Sequence, residues 1–390
     1  MSGRDFKVKK MLTLEQQIFK QIEKSKNILI IFSADREGDI IASSLAFFLF
    51  LKKQGYEVTL VCQDLEETNH NFSFLPAYNQ IQNNLDNLRR FIVSVDISKA
   101  KVNQVKYLVD NNILNFIISP SEGWFKPEDV SSRAGEFKYD LIITIGTSDL
   151  ESLGKLYDQN IEFFYKTAII NIDHKANNEE FGQINFIDLN AVAISEILFY
   201  LLKNYKPETI SEDVATCLLA GIIQKTKNFK TSNLTPRTLL TTSQLISIGA
   251  NREDIINHLY RSRDLATLKL WGRVLNNLQS EKHEELIWSR LRLQDFKETN
   301  SSPENLNDII DELIMNVPSA KLVVIFCENG PATTKILVYS LKNINVLEIL
   351  ANYRPQGTVK NASVIINKNI ADASIVLLSE LQSKLEKLNA

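Results

Sequence analysis

Short apolar runs alternate with longer mixed stretches along the first 175 residues of the chain. Runs of five or six Ile, Leu, Val and Phe residues bounded by polar residues are typical of buried strands. They predict strands at 27–32, 58–62, 91–95, 114–119, 141–145 and 167–172. The stretches between them predict helices at 14–24, 39–54, 99–110 and 149–158, and a loop or flap at 121–138. Strands joined through helices favour a parallel α/β sheet.

Helical periodicity dominates the next hundred residues, before a second α/β pattern begins near residue 284. The periodicity predicts helices at 191–204, 212–225, 236–248, 252–262 and 265–279. The second pattern predicts strands at 286–290, 321–327 and 336–340, and helices at 306–315 and 370–388. A chain of 390 residues exceeds the size of one typical core. We therefore expect an α/β domain at 1–235, a helical connector at 236–280 and a smaller α/β domain at 281–390.

The composition is ordinary for a globular protein, with 44% hydrophobic residues, a net charge of −3 and a pI near 6.0. Without a basic excess, strong non-specific binding to duplex nucleic acid is not expected. Cys62, Cys217 and Cys327 lie in apolar stretches and match no zinc spacing, so we predict buried free thiols in a reducing compartment. No apolar segment follows the basic N-terminus, and the longest apolar run, 40–51, is too short for a bilayer. We predict a cytoplasmic protein without a membrane segment.

Polar residues cluster where the predicted strands end. The loop 33–39 places acidic side chains before a helix, where they could bind a metal or where Asp39 could simply cap that helix. Asp173 and His174 follow the strand 167–172, at the edge where open α/β sheets bind ligands. The alternative for this pair is an ordinary turn with a hydrogen-bonded His. Asp96 and Asp149 are two further carboxylates near strand ends.

These clusters resemble the motifs of the DHH phosphoesterases. The segment 171–178 resembles the Asp-His-His signature with Lys175 as its third residue, and Asn177, Asn178, Gly182, Asn185 and Glu196 also fit. The loop 33–39 resembles the first family motif, with Ser33 in place of a metal-binding His, Glu37 in place of the first Asp, and Asp39 as the second Asp.

Two further motifs of the family have changed in this chain. The strand 141–145 ends in Gly146, where the resemblance implies a metal-binding Asp. The segment 220–229 resembles Gly-Ile-x-x-Asp-Thr-Gly-x-Phe, with Lys225 in the Asp position and Lys227 in the Gly position. The C-terminal residues resemble the DHH-associated domain, in which Lys342, Gly357 and Thr358 fall at its substrate-contacting positions.

The resemblance implies two metal ions, usually manganese, that activate water against a phosphate ester. It implies catalytic roles for Asp39, Asp173 and His174, metal binding by Glu37, Asp39 and His174, and substrate binding by five further residues: Lys175, Lys225, Lys342, Gly357 and Thr358. Because Ser33, Gly146 and Lys225 are poor metal ligands, we expect two-metal hydrolysis to be impaired or lost, with manganese bound weakly or not at all.

The ligand expected from the resemblance is a nucleotide or a short single-stranded oligonucleotide, held in a cleft between the two domains. The sequence leaves open whether the chain forms a homodimer. One alternative is an active manganese-dependent phosphoesterase with a rearranged site that recruits Asp96 or Asp149. Another is a structural or regulatory subunit whose cleft is filled by its own ion pairs.

Overall fold

The structure is a computed structural model that describes residues 12–33, 38–63, 65, 70–261, 264–306, 309–312 and 317–389. The chain divides into two compact units, 1–261 and 262–390. Each unit has its own sheet and its own hydrophobic core. The boundary between the two units falls inside the predicted connector 236–280, and the division of the chain at 235 and 280 stays a prediction.

The strands of the first unit are β1 (Asn27–Ile31), β2 (Glu57–Val61), β3 (Ile81–Gln82), β4 (Arg89–Val95), β5 (Lys101–Asp110), β6 (Ile113–Glu122), β7 (Val130–Phe137), β8 (Leu141–Ile145), β9 (Ala168–Asp173) and β10 (Ile184–Ile187). Six of them form one sheet in the order β10-β9-β8-β1-β2-β3, with parallel pairing throughout. The predicted parallel sheet is confirmed. The residues of β8 are all buried, as expected for a strand covered on both faces.

The helices of the first unit are α1 (Leu14–Lys24), α2 (Gly38–Lys53), α3 (Lys155–Asp158), α4 (Ile161–Lys166), α5 (Ile194–Tyr205), α6 (Glu212–Lys225), α7 (Pro236–Ile248) and α8 (Arg252–Tyr260). Helix α2 follows β1 and is buried along almost its whole length, beneath α5 and α6. The predicted helix 149–158 is shorter than expected. A 3₁₀ turn, Glu151–Leu153, precedes α3, and Gly154 interrupts the two with a φ of 57°.

The segment between β3 and β8 does not join the six-stranded sheet. Strand β4 pairs with β7, and β5 pairs with β6, both antiparallel. We call the pair β5–β6 the arm. The predicted helix at 99–110 is therefore wrong, and the predicted loop at 121–138 contains β7. The missed signal was the two-residue turn Asn111-Asn112, whose φ values of 44° and 64° suit a tight hairpin.

The second unit contains β11 (Gln279–Glu281), β12 (Leu286–Leu291), β13 (Leu322–Glu328), β14 (Thr334–Ser340), β15 (Gln356–Gly357) and β16 (Asn361–Ile366). They form a mixed sheet in the order β11-β12-β13-β14-β16-β15. Its helices are α9 (Leu265–Asn276), α10 (Leu293–Thr299), α11 (Ile309–Glu312), α12 (Val346–Ile349) and α13 (Ile370–Asn389). The predicted smaller α/β domain is confirmed. Part of the predicted helix 306–315 lies outside the described residues.

The three cysteines of the chain lie inside the hydrophobic cores of the two units. Cys62, Cys217 and Cys327 are buried thiols that form no disulfide, as predicted. Burial raises the pKa of the Cys327 thiol to about 12, which keeps it protonated at neutral pH. Across the described part of the chain, no helix is both long and apolar enough to cross a membrane.

Candidate functional site at the carboxyl edge of the parallel sheet

The register of the parallel sheet brings three motif positions to one edge. Ile31 of β1 aligns with Thr144 of β8, and Thr144 aligns with Asn171 of β9. Two residues further along each strand lie Ser33, Gly146 and Asp173. Because parallel strands end at the same edge, all three positions open toward the same side of the sheet. Helix α2 begins at this edge with Gly38 and Asp39, and His174 and Lys175 follow Asp173.

Asp39 is fully buried, and both of its carboxylate oxygens accept hydrogen bonds at the N-terminus of helix α5. The backbone N–H of Ile194 donates to Oδ2 at 2.7 Å, and that of Ser195 donates to Oδ1 at 3.2 Å. The hydroxyls of Ser195 and Ser43 donate to the same Oδ1, at 2.6 and 3.2 Å. The preceding residue, Ala193, offers α5 no side-chain cap. Asp39 therefore caps α5 from a different helix, and the prediction that it caps its own helix is corrected.

Gly221 explains how α6 comes so close to this buried carboxylate. A Cβ atom at this glycine would lie 2.0 Å from Ser195 Oγ and 2.5 Å from Asp39 Oδ1, closer than atoms can approach. The absence of a side chain thus lets α6 pack directly on the capped end of α5. Lys225 lies four residues further along α6, and positions four apart share one face of a helix. It is the last residue of α6, beyond the level of Asp39.

Asp173 organises the loop that follows strand β9. Its Oδ1 accepts the backbone N–H groups of His174 at 2.7 Å and Lys175 at 3.3 Å. Its Oδ2 accepts the side-chain amide of Asn178 at 2.8 Å. The buried carboxylate is therefore engaged on both oxygens, and these contacts hold the loop that carries His174 and Lys175.

A chain of amides extends this network into the sheet. Asn171 Nδ2 donates to Asn178 Oδ1 at 2.7 Å and to Asn185 Oδ1 at 3.3 Å, while Thr144 Oγ1 donates to Asn171 Oδ1 at 3.2 Å. Asn185 in turn accepts from the backbone N–H of Gly182 at 3.0 Å. The motif asparagines thus link β9 to β10, and Thr144 connects β8 to the same network.

Glu196 lies beside this site as a buried carboxylate in the first turn of α5. Its Oε1 pairs with Arg237 Nε at 2.9 Å, and its Oε2 accepts from Thr238 Oγ1 at 3.2 Å. Arg237 also pairs with Asp188 at 2.7 Å and lies over the ring of Tyr200. Burial raises the pKa of Glu196, against the opposing effect of Arg237. Arg237 and Asp188 were not predicted from the sequence, because only the packing of α7 on α5 brings them to Glu196.

The described residues do not fit a two-metal centre. Among them, no group of three or more His, Cys, Asp or Glu side chains converges as metal ligands would. Asp39 already accepts four donors, and Asp173 accepts three. Gly146 has no ligating side chain, and its φ of 65° favours glycine. Glu37, a predicted ligand, lies outside the described residues.

Asp96 and Asp149 were considered as additional residues of a rearranged active site, but in the structure each has another role. Asp96 lies outside the six-stranded sheet, where its Oδ1 accepts the backbone N–H of Ser98 at 2.9 Å. That hydrogen bond lowers the pKa of Asp96. Asp149 Oδ1 accepts the N–H of Ser152 at 2.7 Å in the turn after β8. Each carboxylate stabilises a local turn.

Three residues of the second unit are predicted to bind substrate: Lys342, Gly357 and Thr358. They lie close together at one corner of the sheet of that unit. The N–H of Ser340, two residues before Lys342, donates to Lys360 O at 2.7 Å. This brings the loop after β14 against the turn that contains Gly357 and Thr358. A Cβ at Gly357 would lie 2.3 Å from Asn361 O, so the turn requires glycine. Thr358 Oγ1 donates to Asn361 Oδ1 at 2.7 Å, within the turn itself.

Comparison with known proteins identifies the family to which the sheet and its motifs belong. The family model described as "DHH family, N-terminal domain" matches residues 27–222. The bifunctional oligoribonuclease and PAP phosphatase NrnA of Thermus thermophilus is 23% identical over 198 residues, which cover 51% of this chain and 58% of that protein. The uncharacterized protein MG371 homolog of Mycoplasma pneumoniae is 32% identical over 107 residues, which cover 27% of this chain and 32% of that protein. The chain thus spans less than two thirds of these relatives.

One solved structure shows the same fold over almost the whole chain. An exopolyphosphatase-related protein from Bacteroides fragilis superposes with a TM-score of 0.66 at 16% identity, covering 98% of this chain and 100% of that one. The family model covers half of the chain and includes both the loop before α2 and the segment that carries Asp173 and His174. The chain belongs to the DHH family of phosphoesterases.

Proposed function

We propose that this chain binds the phosphates of a nucleotide or short single-stranded oligonucleotide at the carboxyl edge of its parallel sheet, with two-metal hydrolysis impaired or lost. The observation that carries the proposal is the state of Asp39. Its two oxygens accept hydrogen bonds from Ile194, Ser195 twice and Ser43. An ionised carboxylate has about four lone-pair sites. Asp39 therefore has little capacity left for a metal ion.

The substitutions around Asp39 support the same conclusion. Three positions that the family resemblance assigns to metal binding hold Ser33, Gly146 and Lys225. Metal catalysis depends on the ligand set for both the position of the ion and the acidity of its water. The loss of three ligands together removes most of what would hold two dications.

The groups that remain at the edge suit a phosphate better than a metal. Lys175 and Lys225 bring positive charge to the strand and helix ends. The buried hydroxyl of Ser33 has no hydrogen-bond partner among the described residues. A lysine contributes a point charge that binds phosphate but cannot replace the acid–base chemistry of His. The names of the NrnA relatives support oligoribonucleotides and PAP as the ligands to test first.

Binding is tested by calorimetry with PAP and with a two-residue oligoribonucleotide, and adenosine serves as the phosphate-free control. A hydrogen bond to a charged group contributes about 1.5–3 kcal/mol, so Lys175→Gln should weaken PAP binding by about tenfold or more. Lys20→Gln makes the same charge change on the exposed face of α1 and should leave binding unchanged. Equal affinity for PAP and adenosine would mean that the phosphate does not contribute to binding, which would contradict the proposal. Lys342→Gln tests the second unit in the same way.

Hydrolysis of the same compounds is measured with manganese in excess. We expect turnover well below the ~1 per second at the lower end of typical enzymes. Faster turnover that Asp39→Ala abolishes would establish the alternative, an active phosphoesterase with a rearranged site. Absence of both binding and turnover would favour the structural or regulatory alternative.

A further inference from the structure

The arm has one apolar face and one mixed face, a pattern that depends on its register. Three cross-strand pairs, Val105 with Ile118, Tyr107 with Phe116 and Val109 with Leu114, point to one side. The pairs that alternate with them, Gln104 with Ser119, Lys106 with Ile117, Leu108 with Asn115 and Asp110 with Ile113, point to the other. We call the six side chains of the first set the apolar face. Sheets with this alternation normally bury the apolar side.

In this chain five of the six side chains of the apolar face are exposed to solvent, and Ile118 is half-buried. Tyr107 is 73% exposed and Val109 is 64% exposed, and Phe116 remains 53% exposed in the middle of β6. None of the described residues covers these side chains. A two-stranded hairpin alone is only marginally stable in water, and single-chain proteins rarely leave so continuous an apolar patch uncovered. The exposed apolar face of the arm is therefore typical of an interaction surface.

We infer that the occupant is a second copy of the chain, whose arm packs its own apolar face against this one about a two-fold axis. A two-fold interface uses the same patch on both copies, so two apolar faces bury each other, and two sheets pack face to face about 10 Å apart. This interface does not involve the carboxyl edge and does not depend on the proposed function.

The charges of the arm agree with this occupant. Residues 101–122 contain Lys101, Lys106, Asp110 and Glu122, so their net charge is zero. Lys101 and Glu122 pair with each other at 2.8 Å at the base. A neutral surface does not attract nucleic acid or an acidic membrane, and two neutral arms do not repel each other. Pro120 lies in β6 and has no backbone N–H. It therefore disfavours the pairing of another strand along the outer edge of β6, which leaves the apolar face as the contact surface.

The available area is of the size that a dimer requires. The six side chains of the apolar face would bury on the order of 500–700 Å² per copy, given about 150–250 Å² for a whole aromatic side chain. Trp124, two residues beyond the end of β6 and 85% exposed, would add about 200 Å². A standard specific interface buries about 800 Å² on each partner.

Sedimentation equilibrium of the full chain tests the inference. We expect the parent to be a dimer at micromolar concentration, and the double variant Tyr107→Glu, Phe116→Glu to dissociate at least 100-fold more readily. The matched control is Leu108→Glu, Ile117→Glu, which places the same charges on the mixed face of the same strands and should stay within about threefold of the parent.

Three outcomes would overturn the inference. They are a parent that stays monomeric up to ~100 μM, a Tyr107→Glu, Phe116→Glu variant that still dimerises like the parent, and a control that dissociates as strongly as that variant. A monomeric parent would leave a different protein as the occupant. Circular dichroism of each variant separates loss of contact from loss of folding, since a variant that has lost only the contact keeps the parent's secondary-structure spectrum and still unfolds cooperatively.

Cross-linking gives a second, independent readout. The three native cysteines are buried, so Phe116→Cys would introduce the most accessible thiol. Phe116 lies in the central pair of the apolar face, near the expected two-fold axis. A short bis-maleimide should join two copies of Phe116→Cys but not of Asn115→Cys, whose thiol points to the mixed face. Equal cross-linking of both variants would contradict the face-to-face arrangement.

Discussion

Asp39 in helix α2 caps helix α5 through the backbone N–H of Ile194, at 2.7 Å and entirely out of solvent. The partial positive charge at a helix N-terminus favours an anion there. The carboxylate that the family resemblance assigns to a metal thus has a structural role that needs no ion.

Asp39→Ala should lower the free energy of unfolding by about 2–4 kcal/mol, because it leaves buried donors on Ser195 and Ile194 without an acceptor. Asp39→Asn should cost less, since one acceptor oxygen remains. The urea midpoint of each variant measures the effect. Asp158→Ala, an exposed carboxylate in the same unit, should change stability by no more than about 0.5 kcal/mol. If Asp39→Ala behaves like Asp158→Ala, the cap does not stabilise the fold.

Gly221→Ala should destabilise the protein by about 1–3 kcal/mol, because its new methyl group meets Ser195 Oγ. Gly272→Ala is the matched control in helix α9, where a Cβ meets nothing within 4 Å. There the change should stabilise by up to about 1 kcal/mol, since Ala favours a helix over Gly. Thermal unfolding of both variants should therefore shift in opposite directions. Shifts of the same sign would contradict the close packing at Gly221.

The stability difference between the parent and Glu196→Gln should depend on pH. Burial raises the folded-state pKa of Glu196 above its unfolded value. The native state then binds more protons than the unfolded state, so this group's contribution is fully present below about pH 4 and is lost as the pH rises through the folded pKa. Urea unfolding from pH 4 to 8 should show the parent losing stability relative to the variant. A constant difference would mean that the pKa of Glu196 is not raised.

Lys225→Asp should increase manganese affinity, above all when combined with Ser33→His, because the two changes restore the ligands that the family resemblance implies. Our hypothesis is that Lys225 replaces the charge of a metal ion at this edge. Calorimetric titration with manganese compares the parent, the double variant and Lys20→Asp as the charge-matched control.

The same hypothesis makes Lys225→Ala costly without metal. Breaking a buried ion pair costs ~3–5 kcal/mol, whereas an exposed pair is worth ~0–1. Lys225 is half-buried, so we expect a loss between these limits, partly restored by manganese. A parent that purifies with stoichiometric manganese, or a Lys225→Ala variant that melts like the parent, would contradict the hypothesis.

The sequence by itself determined the parallel sheet, most of the longer helices and the edge where the motifs lie. Buried strands of five residues and amphipathic helices leave a local periodic signal, and parallel pairing then places Ser33, Gly146 and Asp173 side by side. The helices Glu212–Lys225 and Pro236–Ile248 begin and end where predicted. The motif residues could be identified from the sequence because each motif is defined by the spacing of its residues along the chain.

Only the tertiary structure decided what those residues contact. Helix α5 meets Asp39 from 155 positions away in the chain, and Arg237 reaches Glu196 from another helix. Strand β5 of the arm was predicted as a helix, whereas its partner β6 was predicted as a strand, because the apolar residues of β5 alternate over a segment too exposed to resemble a buried strand. Capping partners, ion pairs and uncovered faces arise from packing between distant segments, and local periodicity carries no information about which segments will meet.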